Sequence, residues 1–137
     1  MITYQQEFLC NLEENFGFLL SKELEGVNPN KAIEYMDKYS DNSVLVTARN
    51  SGVLVGYIGW IKFVPPMGES LYAQSVGWFV LPKQKPMVGI NLLKKSQEFL
   101  KEDGVDKLLL GVREGDFSRV MSRYGYSKEE VIYSKDL

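Results

Sequence analysis

Phe8, Leu12, Phe16, Leu19, Leu20 and Leu24 recur at three- and four-residue spacings in a segment rich in Glu and Asn. That period lays apolar side chains along one face of a helix, so a first amphipathic helix is expected, ending near Gly26. Asn28-Pro29-Asn30 reads as loop and cap. Ile33, Met36 and Tyr39 predict a second, short helix closed by Asp41 and Asn42. No strand pattern precedes Ser43, unless Met1 to Tyr4 form a short one.

From Ser43 the pattern changes to apolar runs punctuated by turn residues. Val44-Leu45-Val46-Thr47-Ala48 and Val53 to Ile61 read as two strands around the tight turn Asn50-Ser51-Gly52, hence a hairpin. Pro65-Pro66-Met67-Gly68 breaks the chain before a third strand, Tyr72 to Leu81. Gly77 lies inside that strand, where glycine marks a bulge or the close approach of another group. Val88, Leu92, Leu93, Ser96, Phe99 and Leu100 then share one helix face, with Lys94, Lys95, Glu98 and Lys101 off it and Gly104 as the stop. Leu108 to Val112 is an apolar strand, expected to run parallel to the preceding one because a helix crosses between them. Asp116 is placed to cap a helix running to Arg123 and ended by Gly125, and Val131-Ile132-Tyr133 predicts a last strand. The result is an α/β (mixed α+β) domain with a central mixed sheet and helices on both faces.

Composition narrows the chemistry. The 137 residues carry 16 Lys plus Arg against 18 Asp plus Glu, one cysteine, no histidine and 45% hydrophobic residues. This length suits one domain over 1–137 that buries about two thirds of its unfolded surface. Without histidine, imidazole-based triads and His-ligated metals are excluded, and no metal site is expected. Cys10 sits on the apolar helical face and reads as a small buried residue. Balanced, interspersed charge gives no polyanion-binding surface, so no nucleic-acid partner is expected. The longest apolar stretch, Val53 to Ile61, is about half a membrane span. With no signal peptide visible at MITYQQEFLC, a cytoplasmic protein is expected.

One turn stands out. Lys83-Gln84-Lys85-Pro86-Met87-Val88-Gly89-Ile90 follows a strand and opens a helix. A helix start presents unpaired N–H groups backed by the positive end of the helix dipole, which suits a phosphate. Pro86 fits a first turn, Gly89 admits a ligand to the backbone, and Lys83 and Lys85 add charge. The plainer alternative is a capped crossover helix with solvated lysines. Neither the dinucleotide-binding glycine fingerprint nor a Walker loop is present.

The segment WFVLPKQKPMVGINLLKKSQEFLKEDGV resembles the acyl-CoA-binding motif of the GCN5-related N-acetyltransferases (GNAT), a strand, a Q/R-x-x-G-x-G/A loop and a helix. Gln84 stands at the Q/R position and Gly89 at the last glycine, while Met87 replaces the first. The order of elements matches along most of the chain. Ala48-Arg49, Leu54-Val55-Gly56-Tyr57 and Arg123, Gly125, Tyr126, Glu130, Tyr133, Lys135 and Leu137 look closest to small bacteriophage-encoded members. The resemblance implies a sheet that is mostly antiparallel with one splayed parallel pair, Trp78 to Leu81 and Leu108 to Val112. It implies that acetyl-CoA lies in the splay as acyl donor, contacting Phe79, Val80, Leu81, Gln84, Lys85, Met87, Val88, Gly89 and Ile90. An N–H near Val80 would polarise the thioester carbonyl, and Gly77 would begin the splay.

Direct transfer to an amine calls for a base and an acid. Where many members carry a tyrosine four residues before the glycine of the closing helix, this chain has Met121. Tyr124 reads as core or rim. Ser118 and Ser122 are nearby hydroxyls, and Gln74, Ser75, Glu69, Glu23 and Glu25 are the polar groups near the expected acceptor side. Glu69 and Ser122 remain as catalytic candidates. Glu130 and Lys135 read most simply as solvated charges, while Trp60, Trp78 and Phe63 are expected to fill the sheet faces. Two readings follow: an acetyl-CoA-dependent N-acetyltransferase acting on a small-molecule or protein amine, or a catalytically reduced module of the same fold, such as a phage accessory protein. Both a monomer and a homodimer are open.

Overall fold

A computed structural model describes residues 1–7, 34, 38, 40–112 and 121–137. The helices expected over Phe8 to Leu24 and over Asp116 to Arg123 fall largely outside these residues. Glu34 and Lys38 are helical, and Ser40–Asn42 form a 3-10 turn where Asp41 and Asn42 were expected to close the second helix.

Five strands form one sheet in sequence order: β1 Ile2–Gln6, β2 Ser43–Asn50, β3 Val53–Phe63, β4 Tyr72–Val80 and β5 Lys107–Leu109. The first three pairings are antiparallel and β4 with β5 is parallel. The short strand considered at Met1 to Tyr4 is therefore a full edge strand, pairing Ile2 to Gln6 with Asn50 to Val46. Its polar sequence hides it, because an edge strand needs few buried residues. Between β2 and β3, Ser51 (φ 50°) and Gly52 (φ 87°) take left-handed backbone, which closes the hairpin as the Asn-Ser-Gly turn predicts.

Between β4 and β5 runs helix α1, Met87–Glu102. Of the stripe read from the sequence, Val88, Leu92, Leu93, Ser96 and Leu100 are buried and Phe99 is partly so. They pack on Val44, Val46, Ala48, Val55, Ile58, Trp60 and Ala73. The one large polar group in this layer is satisfied: Trp60 Nε1 donates to Ser96 Oγ at 2.9 Å, and Ser96 Oγ donates to Leu93 O at 2.9 Å. The opposite face of the sheet is covered too, since Leu45, Thr47 and Tyr57 are almost fully buried.

Two helix ends use the same device. Gly104 N donates to Lys101 O and Val105 N to Leu100 O, with Gly104 left-handed at φ 86°. Gly125 N donates to Ser122 O and Tyr126 N to Met121 O, with Gly125 at φ 86°. Both are Schellman caps, in which a left-handed glycine turns the chain and the next residue folds back on the helix. Both glycines were read as stops.

Two expectations about strands are corrected. The strand predicted over Leu108 to Val112 ends at Leu109, because β4 diverges from it. The final strand predicted over Val131-Ile132-Tyr133 is absent: this segment has no strand partner, and its side chains are 52%, 82% and 90% exposed. β-branched and aromatic residues supply strand propensity, but propensity alone does not make a strand, and this segment pairs with none of the described strands. No helix among the described residues is long and apolar enough to cross a membrane.

Candidate functional site

The parallel pair β4 and β5 is joined over three positions only, Tyr72 with Lys107, Ala73 with Leu108 and Gln74 with Leu109. One further tie follows: Gly111 N donates to Ser75 Oγ at 2.9 Å. Beyond it β4 continues to Val80 paired with β3 alone, so the two strands part at Ser75. A bulge marks the same place. Gly59 pairs with Gly77 and Trp60 with Ser75, leaving Val76 as the extra residue in β4, 44% exposed. Bulges bend a strand and end its pairing, as β4 does here. The sequence pointed to Gly77, but the bulged residue is its neighbour. Gly77 has a separate cause: a Cβ there would sit 3.0 Å from the ring of Tyr57, so the missing side chain makes room for a buried tyrosine on the adjacent strand.

The ladder decides which backbone groups face the opening. Leu81 N donates to Val55 O at 2.9 Å while Val80 is opposite Gly56. Val80 and Gly56 are therefore a non-hydrogen-bonded pair, and antiparallel alternation makes Trp78 with Ile58 another. The N–H and C=O of Trp78 and Val80 point away from β3 into the space that β5 has vacated. Those of Phe79 and the N–H of Leu81 point to β3. Phe79, Val80 and Leu81 thus all lie at the opening, but of the three only Val80 turns its backbone N–H and C=O toward it.

Residues 82–86 carry the chain from β4 to α1. Gln84 N donates to Leu81 O and Val88 N to Lys85 O, both at 3.0 Å, which folds the loop into two consecutive turns. Pro86 occupies the N-cap of α1 with no side-chain cap, and no acidic residue lies in the first turn. The positive end of the helix is consequently left for another anion. Val88 and Ile90 point into the core, Met87 is half-exposed, and Lys83 and Lys85 are exposed. Trp78 Nε1 donates to Gly89 O at 3.2 Å, tying the open half of β4 to the first turn of α1. Gln84, Lys85, Met87, Val88, Gly89 and Ile90 are thus brought next to the opening, contributing backbone and positive charge rather than a row of polar side chains.

The catalytic candidates are not brought together there. Glu69 is exposed in the loop that enters the paired end of β4. From Tyr72, the length of β4 to Val80 is about 26 Å at the usual strand rise. Ser122 is exposed in the 3-10 helix Ser122–Tyr124, where its carbonyl accepts the Gly125 cap. Met121 is buried in the core at 7% exposure, so no titratable group stands at that position. Tyr124 lies under the Lys94 ammonium, 5.2 Å from its ring centre. Tyr126 accepts a hydrogen bond from Gln97 Nε2, and burial raises its pKa above the usual tyrosine value. Glu130 and Lys135 are exposed. Trp60 is wholly buried and Trp78 partly, as expected of residues filling a sheet face. Among the described residues, no three His, Cys, Asp or Glu side chains converge as a metal site would require.

One polar cluster escaped the sequence reading. On the sheet face away from α1, Arg49 clasps Glu7 by two bonds, Nε to Oε2 and Nη2 to Oε1, each 2.9 Å, and Thr47 Oγ1 donates to Glu7 Oε2. Burial pushes the Glu7 carboxyl up, but the bonds from Arg49, Thr47 and Gln5 and the Arg49 charge outweigh it and hold the pKa below the usual glutamate value. Arg49 also donates to Gly52 O at 3.0 Å, so it ties β1, β2 and the hairpin turn together. Glu7 and Arg49 lie 42 residues apart, and only the register of β1 on β2 makes them neighbours.

No protein-family model and no curated protein matches the sequence. Solved structures do match. The chain is similar to glucosamine-6-phosphate N-acetyltransferase from Arabidopsis thaliana (TM-score 0.78, 14% identity, 99% of this chain and 98% of that one). It is similar to the aminoglycoside N-acetyltransferase AAC(6')-Iy in complex with CoA (0.80, 17%, 99% and 95%). It is also similar to a transcriptional regulator from Bacillus halodurans C-125 (0.77, 18%, 100% and 100%). The fold is that of the GNAT acetyltransferases.

Proposed function

We propose that the chain is a single-domain, acetyl-CoA-dependent N-acetyltransferase of the GNAT family, working in the cytoplasm. The observation that carries this reading is the opening between β4 and β5, with the backbone of Trp78 and Val80 turned into it and the uncapped start of α1 beside it. A pantetheine arm has the amide pattern to pair with the outward-turned groups of Val80 as a missing strand would. The pyrophosphate takes the first turn of α1, where Met87 and Gly89 supply N–H groups and Gln84 and Lys85 flank them. Val88 and Ile90 anchor that turn in the core. Met87, in place of a glycine, turns its side chain outward, which leaves the amide in reach.

In the reaction the amine nitrogen attacks the thioester carbonyl carbon, a C–N bond forms, the C–S bond breaks and CoA leaves as the thiolate, while the proton lost by the amine nitrogen passes to water or to that thiolate. A fixed N–H from Val80 stabilises the oxyanion, and fixed donors of this kind act most strongly where charge develops. The amine is a small-molecule or protein amine. The aminoglycoside and amino-sugar phosphate enzymes that share the fold illustrate the range of such acceptors. The likeness of the hairpin and closing residues to bacteriophage-encoded members adds a phage origin to the proposal.

Thermal unfolding with CoA and with acetyl-CoA tests the first half of this reading. A ligand at 100 times its dissociation constant stabilises by about 2.7 kcal/mol, so a clear rise in Tm is expected. No shift at millimolar acetyl-CoA sinks it. Release of free thiol with a panel of amines tests the second half. A second reading, a CoA-binding module without turnover, is favoured by one observation: Met121, buried and apolar, cannot protonate a departing thiolate. It predicts the rise in Tm without thiol release from any amine.

A further inference from the structure

α1 begins without the usual supports of a helix start. Pro86 at its N-cap has neither an N–H nor a capping side chain, and no acidic residue lies in the first turn. The third helical residue is Gly89, and glycine has the most pliable backbone of any residue. Val88 N is taken by Lys85 O, so of the N–H groups at this end those of Met87 and Gly89 remain to be offered outward. Val88 and Ile90 hold the turn down by burial in the core. Apolar burial has no direction, so it fixes the depth of the turn and leaves the rotation of its peptides open.

One directional bond supplies what is missing. Trp78 stands on the open half of β4 opposite Ile58, with its indole packed against the core, and its Nε1 donates to Gly89 O at 3.2 Å. The carbonyl it holds belongs to the residue whose peptides turn most freely, beside the two N–H groups at stake. A single side chain therefore links the wall of the opening to the start of the helix. A second bond offers a contrast: Asn91 Nδ2 donates to Tyr4 OH at 3.2 Å, tying α1 to β1 just past the turn, where the backbone N–H groups already belong to the helical ladder.

Resting on the reading that the first turn of α1 takes the phosphates of CoA, we infer that Trp78 is a positioning residue for them. It acts through Gly89, whose anchored carbonyl keeps the N–H groups of Met87 and Gly89 aimed at one point. The indole itself does not meet the phosphates, because its one N–H is directed to Gly89. The consequence is selective: loss of the indole N–H weakens the hold on the phosphate end of the donor and leaves the hold of Val80 on the pantetheine arm as it was.

Trp78→Phe keeps a ring in the core and removes the N–H, while Tyr4→Phe removes the partner of Asn91 and serves as the control. Dissociation constants for CoA and for pantetheine give a ratio that isolates the contribution of the phosphates. In Trp78→Phe the preference for CoA is expected to fall about tenfold, the equivalent of one hydrogen bond, and in Tyr4→Phe to stay as in the unaltered chain although both variants lose thermal stability. The chain has two tryptophans, and their indole N–H resonances give a reading that does not depend on a variant folding. Inorganic pyrophosphate is expected to shift the Trp78 signal and to leave in place that of Trp60, which is bonded to Ser96 in the core. An unchanged preference in Trp78→Phe, an equal loss for CoA and pantetheine, or a Trp78 signal indifferent to bound pyrophosphate overturns the inference. The reading beneath it fails differently: an unaltered chain that holds CoA no better than pantetheine has no phosphate site, and both fall.

Discussion

The two halves of β4 are built from one continuous strand and live in different surroundings. From Tyr72 to Gln74 it is sandwiched between β3 and β5, and Ala73 at its centre is wholly buried. From Ser75 to Val80 it has β3 on one side and, among the described residues, no strand on the other, and it is steadied instead by α1 beneath it through Trp78 and Val80. The closed half is held by backbone pairing in two directions. The open half has exchanged one of those ladders for side-chain packing, which turns the backbone of Val80 toward the opening. A strand can be left half unpaired in this way only if its other supports are strong.

The most damaging way to break the contrast is therefore to weaken the support under the open half. Leu92 is fully buried where α1 meets β3 and β4. Leu92→Ala is expected to cost about 2–5 kcal/mol, read from chemical denaturation, and to abolish stabilisation by CoA at temperatures where the variant is still folded.

Glu7→Gln is expected to come next, at about 1.5–3 kcal/mol, because it loses bonds to a charged partner and leaves Arg49 unmatched. The pair is well covered, with side chains 10% and 17% exposed. It lies on β1 and β2, away from the seam, so CoA affinity should not change, which makes it the control for changes in the opening. Its pH dependence has a definite sign. The folded carboxyl has a lowered pKa, so its contribution is fully present above the unfolded glutamate value and fades as pH falls through the folded one. The stability gap between the unaltered chain and Glu7→Gln should shrink on acidification through that range. A gap that stays constant removes the ion pair from the account.

How much of this was legible beforehand follows the same division between local and distant causes. The hairpin, the crossover helix and both glycine caps depend on residues within a few positions of one another, and periodicity exposes them. The parallel order of β4 and β5 follows from a helix lying between two apolar runs. The place where they part does not. It depends on Val76 being passed over in the β3 ladder and on Ser75 meeting Gly111, contacts between residues 36 apart in the second case. The loop at Gln84 to Ile90 was visible as a strand-to-helix turn, whereas the backbone groups facing the opening required the register of β4 on β3. Trp78 was missed for that reason, although a tryptophan beside an interior glycine was available as a signal. The strand expected at Val131 shows the reverse error, a local pattern that pairs with no described strand of the chain.

Gly56→Ala sharpens the comparison from the β3 side. A Cβ at Gly56 would meet Phe79 O at 3.0 Å, Val80 Cγ2 at 3.1 Å and Leu92 Cδ1 at 3.2 Å, two of them on the open half of β4. Backbone oxygen gives way less readily than a side-chain tip, so the substitution is expected to cost about 1–3 kcal/mol and to displace Val80. The measurement is a pair of denaturation and CoA titrations. Affinity should fall at least as much as stability, whereas a stability loss with unchanged affinity would detach Val80 from the ligand.

Ser75→Ala addresses the point of separation itself and should have the smallest effect on folding. The Ser75 hydroxyl accepts the N–H of Gly111, an exposed residue, so water replaces the lost acceptor and the cost should stay near the low end of about 0.5–1.5 kcal/mol. Its effect on binding should be larger in proportion, because this bond fixes where β5 leaves β4 and hence the width of the opening at its closed end. The expected signature is a Tm almost unchanged without ligand, together with a smaller rise on adding CoA. Ser75→Thr, which keeps the hydroxyl, should restore that rise. If Ala and Thr behave alike, the hydroxyl does not set the opening, and the bulge at Val76 alone separates the strands.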